Sequence, residues 1–308
     1  MSSAYQYLFG PVPSRRLGRS LGVDVTPFKT CSFDCIFCQC GGTTLHVTER
    51  AEFVPFDEVC AEMEQWLTAD GQADVITFAG SGEPTLYSRL GELIAFIKKK
   101  TDIPVIVLSN GTLFHHLDVC EEAAKADIVK VSLSAWDEAS FQRINRPAPG
   151  LSFETVLAGE RIFRKRFGGQ LWLEVFLMEG INAAPEQVEQ IAKIATEISP
   201  DRVHLNTAVR PPTEAGVKPV AEDTLRSLCN LFTPVAEVIA SFTISSANTD
   251  PHLDTNQLVD LIRRHPATAE QLAAVSGTDA DAIRTALEPL IAAGRLRVEI
   301  RNGTAYYK

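Results

Sequence analysis

Three cysteines, Cys31, Cys35 and Cys38, are spaced three residues and then two in Cys-Ser-Phe-Asp-Cys-Ile-Phe-Cys. Thiolates are soft ligands that suit zinc or iron–sulfur clusters. A short loop presenting three of them can cap three corners of a cubane, leaving the fourth iron open for a substrate or cofactor. The alternative is zinc, which in structural sites takes four ligands, often as two separated pairs. Cys40 adds a fourth thiol two residues on. All four would then come from one short loop, and no partner CxxC or HxxxH follows downstream. The remaining cysteines, Cys60, Cys120 and Cys229, lie in apolar, helix-like stretches and read as small buried hydrophobes. An odd count of seven cysteines, three of them crowded into Cys31–Cys38, does not resemble a disulfide framework.

Other polar positions recur at intervals beyond this loop. In Gly80-Ser81-Gly82-Glu83-Pro84 the glycines let backbone approach a ligand closely, and Glu83 can add charge. Ser109-Asn110-Gly111-Thr112 and the pair Ser132 and Ser134 follow. Glu174 sits inside the apolar run LWLEVFLM, where burial without a partner would be costly. It is expected to face a barrel mouth or a partner, and with Asn206 and Arg210 it is a candidate for touching substrate. Arg15, Arg16 and Arg19 with Lys29 form a basic cluster beside the cysteine loop. They could hold a phosphate, a carboxylate or an RNA backbone, or form a solvated face paired with carboxylates. Arg143-Ile-Asn145-Arg146-Pro147 and Arg210-Pro-Pro are further basic loops. His115 and His116, adjacent at a helix start, are expected to face different directions and not to share a metal.

These positions need elements to hold them. Leu21–Val25, Asp74–Phe78, Pro104–Leu108, Ile128–Leu133, Leu171–Met178 and Arg202–Asn206 read as six short apolar strands. Helical periodicity falls between them over Phe56–Leu67, Leu86–Lys100, Leu117–Ala126, Phe153–Phe167 and Pro185–Ile198. Repeated βα units with near-continuous apolar strands imply an α/β fold with a parallel sheet covered by helices. Right-handed crossovers would curl it into a partial (β/α)6 TIM-like barrel. In such folds the chemistry sits at the C-terminal ends of the strands, where each of the polar motifs falls.

Composition narrows the class. The chain has 308 residues, 45% of them hydrophobic, and a net charge of -10. Broad electrostatic capture of nucleic acid calls for a basic protein, so an RNA substrate would need a local basic patch. No run reaches the ~18 apolar residues of a membrane span, and no secretory signal opens the chain; both point to the cytoplasm.

CxxxCxxC is the hallmark of the radical S-adenosylmethionine superfamily, which the chain resembles over roughly residues 8–245. The resemblance implies a [4Fe-4S] cluster on Cys31, Cys35 and Cys38 that delivers one electron to S-adenosylmethionine, giving methionine and a 5′-deoxyadenosyl radical that abstracts hydrogen from substrate. It implies Phe37 near the adenine. Gly80, Ser81, Gly82 and Glu83 resemble the family's GGE-type segment, which pairs with the methionine amine. Ser109, Asn110, Ser132 and Ser134 fall where the family holds the ribose and carboxylate. A reductant protein such as a flavodoxin or ferredoxin is implied as partner. Tyr7-Leu-Phe-Gly-Pro-Val-Pro-Ser-Arg-Arg-Leu-Gly-Arg19 and Pro27-Phe-Lys29-Thr resemble the wybutosine-synthase-related group. That enzyme's extra cysteine set has no counterpart, since no cysteine precedes Cys31. The resemblance therefore implies a related scaffold, with substrate unassigned among small molecules, peptides and RNA.

After about residue 245 the chain changes character. A polar linker over 246–253 leads into helices at Thr255–Arg264, Thr268–Val275 and Asp279–Ala293. Asn302-Gly303 then marks a hairpin turn. This is the order of a small C-terminal winged helix-turn-helix domain, residues 254–308. Winged helices often read DNA with the third helix, which allows an alternative: an iron–sulfur redox-sensing regulator. The segment carries seven acidic and seven basic residues, and its third helix opens on Asp279 and Asp281. That balance argues against DNA and favours docking of protein or substrate.

Overall fold

The computed structural model describes residues 5–14, 17–69, 71–240, 255–264, 266–276, 278–301 and 303–308. The domain boundary at 245 and the linker over 246–253 lie outside the described residues, as do Arg15 and Arg16.

The chain opens with a strand that the periodicity misses, β1 (Leu8–Ser14), antiparallel to β2 (Gly18–Val23). Pro11 and Pro13 cannot donate to a ladder, and the sheet tolerates them because β1 is its edge, with an irregularity between Phe9 and Val12. Two-residue strands β3 (Thr30–Cys31) and β4 (Leu45–His46) pin the two sides of the cysteine loop together. The βα units follow: α1 (Phe56–Thr68), β5 (Val75–Phe78), α2 (Leu90–Lys100), β6 (Val105–Leu108), α3 (Leu117–Ala123), β7 (Ile128–Ser132), α4 (Glu138–Asn145), α5 (Phe153–Arg166), β8 (Gln170–Leu177), α6 (Pro185–Ile198) and β9 (Arg202–Thr207). After α7 (Glu222–Leu228), a short β10 (Glu237–Val238) completes the sheet.

The sheet order is β1-β2-β5-β6-β7-β8-β9-β10, parallel from β2 onward, with β1 and β10 at its two edges. The α/β fold with a mostly parallel sheet is therefore as expected. The six expected strands are β2 and β5 to β9, with shifted ends. β2 stops before Asp24, whose carboxylate is taken up elsewhere. Helix α2 begins at Leu90 rather than Leu86, because the Glu83 side chain caps a separate 3-10 turn over Pro84–Leu86. Helix α4 is unforeseen: Asp137 and Ser140 form a reciprocal capping box at its start.

One apolar core packs the sheet against its helices, with Phe114 stacked on Phe163 at 4.2 Å between centroids. After the sheet come α8 (Thr255–Arg264), α9 (Ala269–Ser276) and α10 (Ala280–Ala292), then a hairpin of β11 (Val298–Arg301) and β12 (Thr304–Tyr307). These elements have a separate core, and Phe9 of β1 belongs to it. Its aromatic ring lies on Gly22, where a Cβ would stand 2.1 Å from the ring. On the other flank the Tyr306 hydroxyl donates to the carbonyl of Val209, just past β9, at 2.7 Å. The C-terminal elements thus touch β1 and the segment that follows β9. Among the described residues no helix is long and apolar enough to cross a membrane.

Glu160 on α5 is an uncompensated feature of the core. It is 1% exposed, and neither carboxyl oxygen has a hydrogen-bond partner. Burial pushes its carboxyl up to about 8. The folded protein therefore holds a proton that the unfolded chain releases above its ordinary value of 4.5. Stability should fall as pH rises from about 4.5 to about 8, by an amount on the order of a few kcal/mol. Urea unfolding of the wild type at pH 5.5 and pH 8 should show that loss, and Glu160→Gln should remove most of it. Equal pH slopes for the two proteins would refute this account.

Candidate functional site

The cysteine loop leaves the C-terminal end of β2 and is held rigid by its own polar groups. Asp34 accepts from the Thr43 amide at 2.7 Å, and the buried Ser32 hydroxyl pairs with Thr112 at 2.7 Å. The sulfurs of Cys31, Cys35 and Cys38 are near enough that Cys35 feels the charge of the other two. Each sulfur has its own side-chain N–H donor from a different part of the chain. Asn110 Nδ2 lies 3.6 Å from Cys31, Asn145 Nδ2 lies 3.5 Å from Cys35, and Lys29 Nζ lies 3.1 Å from Cys38. Burial raises Cys31 to about 12 and Cys35 well above the ordinary thiol range, whereas the bonds from Cys40 and Lys29 pull Cys38 down to about 5. Cys40 is raised by its bond to Cys38 and by burial, and its sulfur also stands 3.3 Å from the carbonyl of Arg264 and 3.9 Å from that of Gly80.

Among the described residues no three or more His, Cys, Asp or Glu side chains converge on a single metal ion. Thiolates that each bind a different iron of a cubane stand further apart than four around one zinc. The three soft thiol donors are of a kind that fits an iron–sulfur cluster.

The segments at the neighbouring strand ends are brought up to this loop, but several of their side chains turn inward. Glu83, 2% exposed, accepts from the Thr85 amide and hydroxyl, the Ser109 hydroxyl at 2.8 Å and the Asn110 amide at 2.7 Å. It braces the ends of β5 and β6 against each other, with its carboxyl raised by burial and pulled partly back by these donors. Ser81 donates to Asp24 at 3.1 Å, and Ser134 accepts from the Phe176 amide at 3.2 Å. Ser132 ends β7 beside Glu174 of β8. The glycines serve close packing within the chain: a Cβ on Gly80 would stand 2.2 Å from Asp24, and one on Gly82 would stand 2.1 Å from the carbonyl of Thr30.

A cavity of about 240 Å³ opens beside the loop, lined by Phe37, Cys38, Gly80, Glu174, Asn206 and Arg210 among others. Phe37 stacks on Phe176 at 4.4 Å. Glu174 is not an unpaired acid: it pairs with Lys130 at 3.0 Å and accepts from Asn206 at 3.2 Å. Arg210 donates to Gln39 at 3.2 Å.

Of the basic cluster, Arg15 and Arg16 lie outside the described residues, and Arg19 and Lys29 do not come together. Arg19 lies at the N-terminal end of β2, away from the loop, with its backbone amide and guanidinium on Asp74. Lys29 is buried with its ammonium on Cys38, so it does not face an external anion. The second basic loop is likewise occupied. Arg143 donates to the Ile181 carbonyl, and Arg146 pairs with Glu214 at 2.8 Å. His115 and His116 precede α3 rather than lying in it, so their rings sit 4.0 Å apart instead of diverging.

Asn145, Lys130 and Asp24 are the site residues that sequence reasoning passed over. Asp24 is the most connected. It accepts from Ser81 and pairs at 3.0 Å with Arg264, the last residue of α8, whose side chain is 18% exposed against 5% for Asp24. An acidic residue closing the first strand, in LGVDV, was the available signal.

Residues 25–204 match the family model of the radical SAM superfamily. The chain belongs to this superfamily and is an enzyme of it. It is 33% identical over 229 residues to a UPF0026 protein of Methanocaldococcus jannaschii, covering 74% of this chain and 71% of that one. It is also 36% identical over 303 residues to a protein of Brachyspira hyodysenteriae named GTPase Obg; the match covers 97% of this chain and 45% of that protein's length. A solved structure of TYW1 with a lysine-pyruvate adduct bound shares the fold at a TM-score of 0.54 and 20% identity, over 71% of this chain and 74% of that one.

Arg264→Ala should leave Asp24 buried without its charge partner, a change that typically costs about 3–5 kcal/mol. Urea unfolding should show the loss, with the C-terminal elements released first. A wild-type unfolding curve for this variant would contradict a structural role for the pair.

Proposed function

We propose that the chain is a radical S-adenosylmethionine enzyme that holds a [4Fe-4S] cluster on Cys31, Cys35 and Cys38 and cleaves S-adenosylmethionine reductively. The observation that carries this reading is the three sulfurs of one loop, each with its own nitrogen donor. Donors of this kind orient metal ligands and tune the metal. Bound together, the cluster and cofactor would supply a carbon radical that abstracts hydrogen from substrate. The chain's own residues do the rest. The loop would hold the cluster through Cys31, Cys35 and Cys38, and the adjoining cavity lined by Phe37 and Gly80 would take the cofactor. The Phe37–Phe176 pair offers an apolar face for the adenine. Glu83 fixes the Ser109-Asn110 segment, so a cofactor would meet that segment mainly through its backbone and through Asn110. Glu174, Asn206 and Arg210 line the far side of the cavity, where substrate would lie.

The C-terminal elements have the order of a winged helix-turn-helix. Arg284, on the helix that would read DNA, is held by Glu270 and Asp281. Together with the even charge balance, this favours a docking and closing role over nucleic-acid recognition, and disfavours a DNA-binding redox regulator. A small reductant protein of the flavodoxin or ferredoxin type, in the cytoplasm, would supply the electron; the free thiols suit that reducing compartment.

Protein purified without oxygen should be brown and carry about four irons per chain. With dithionite and S-adenosylmethionine it should release 5′-deoxyadenosine. Cys38→Ala should lose the iron, whereas Cys40→Ala should keep it. Colourless protein with one zinc per chain, lost equally from both variants, would refute the proposal.

A further inference from the structure

Lys29 is the residue at which the chain enters the cysteine loop, and its setting is unusual. Its backbone is left-handed, with φ at 57°, a conformation that a side-chain-bearing residue keeps only when its surroundings enforce it. The surroundings do so. Its amide donates to the carbonyl of Ser81 at 3.2 Å, and its own carbonyl accepts from the amides of Thr44 at 3.0 Å and Leu45 at 3.2 Å. The result is a side chain turned inward. Lys29 is 2% exposed, and its ammonium stands 3.1 Å from the sulfur of Cys38. Among the described residues no carboxylate pairs with it. The groups it faces are the sulfurs of Cys38, Cys31 and Cys40, with Cys38 within hydrogen-bond distance. A buried ammonium without a counter-charge is strongly disfavoured, so this position makes sense only opposite a centre that carries negative charge.

We propose that Lys29 is a tuning residue of the cluster, whose fixed positive charge and N–H···S bond to Cys38 raise the cluster's reduction potential. The inference rests on the cluster reading above. One-electron reduction adds a negative charge to the centre and makes or breaks no bond; the electron comes from a low-potential carrier protein. A nearby cation in a poorly screened site favours the more negative state. Hydrogen bonds to the sulfurs act in the same direction. The role differs from the anion site that the local run of basic residues suggests.

The test is an EPR-monitored redox titration of anaerobically reconstituted wild type, Lys29→Met and Lys29→Arg, each checked for iron content. Met keeps the length of the side chain and removes charge and donor, so its equilibrium constant for reduction should fall at least tenfold, or 59 mV for one electron. Arg should restore most of it. Equal potentials in all three would overturn the proposal. Should Lys29→Met fail to hold iron, wild type labelled with 15N-lysine decides: pulsed EPR of the reduced cluster should show a nitrogen coupling, and its absence would overturn the proposal. A wild type that assembles no four-iron cluster would overturn the parent reading, and this one with it.

Discussion

Three sulfur atoms drawn together in a poorly hydrated place repel one another as soon as they ionise. Burial alone drives Cys31 and Cys35 toward the neutral thiol. The site therefore depends on donors that make negative charge tolerable there. Those donors come from three separate places: the approach to the loop, the end of β6 and the end of α4. Only the closed packing of successive βα units brings Lys29, Asn110 and Asn145 to one point. The α/β fold is in this sense a device for meeting the electrostatic demands of eight residues.

A second layer holds the first. Glu83 does not reach into the cavity; it spends its acceptor capacity on Thr85, Ser109 and Asn110. Asn110 then bridges to Ser32 at 2.9 Å as well as to Cys31. A carboxylate that reads in sequence as ligand-facing thus serves the ligand at one remove. Asp24 has a comparable place, joining the end of β2 to the glycine segment and to α8.

The sheet and its helices were largely legible because apolar strands and amphipathic helices repeat with clear period and clear stops. The metal loop was legible because no ordinary structural need places three thiols at that spacing. Three features were not. Strand β1 carries two prolines and is tolerated only as an edge, a property of the finished sheet. Helix α4 is short and polar, so its period is weak, and its Asp137–Ser140 cap was the overlooked mark. The fate of the charges was hidden most. Arg19 and Lys29 are near in sequence, yet one runs to Asp74 at the far end of its strand and the other turns in to Cys38. The direction of a side chain depends on strand polarity and local φ, neither of which composition reveals.

The bond from Cys40 to the carbonyl of Arg264 ties the loop to an element made more than two hundred residues later. One wall of the loop, beside Cys40, is therefore supplied by the C-terminal elements and not by the sheet that carries the three other cysteines.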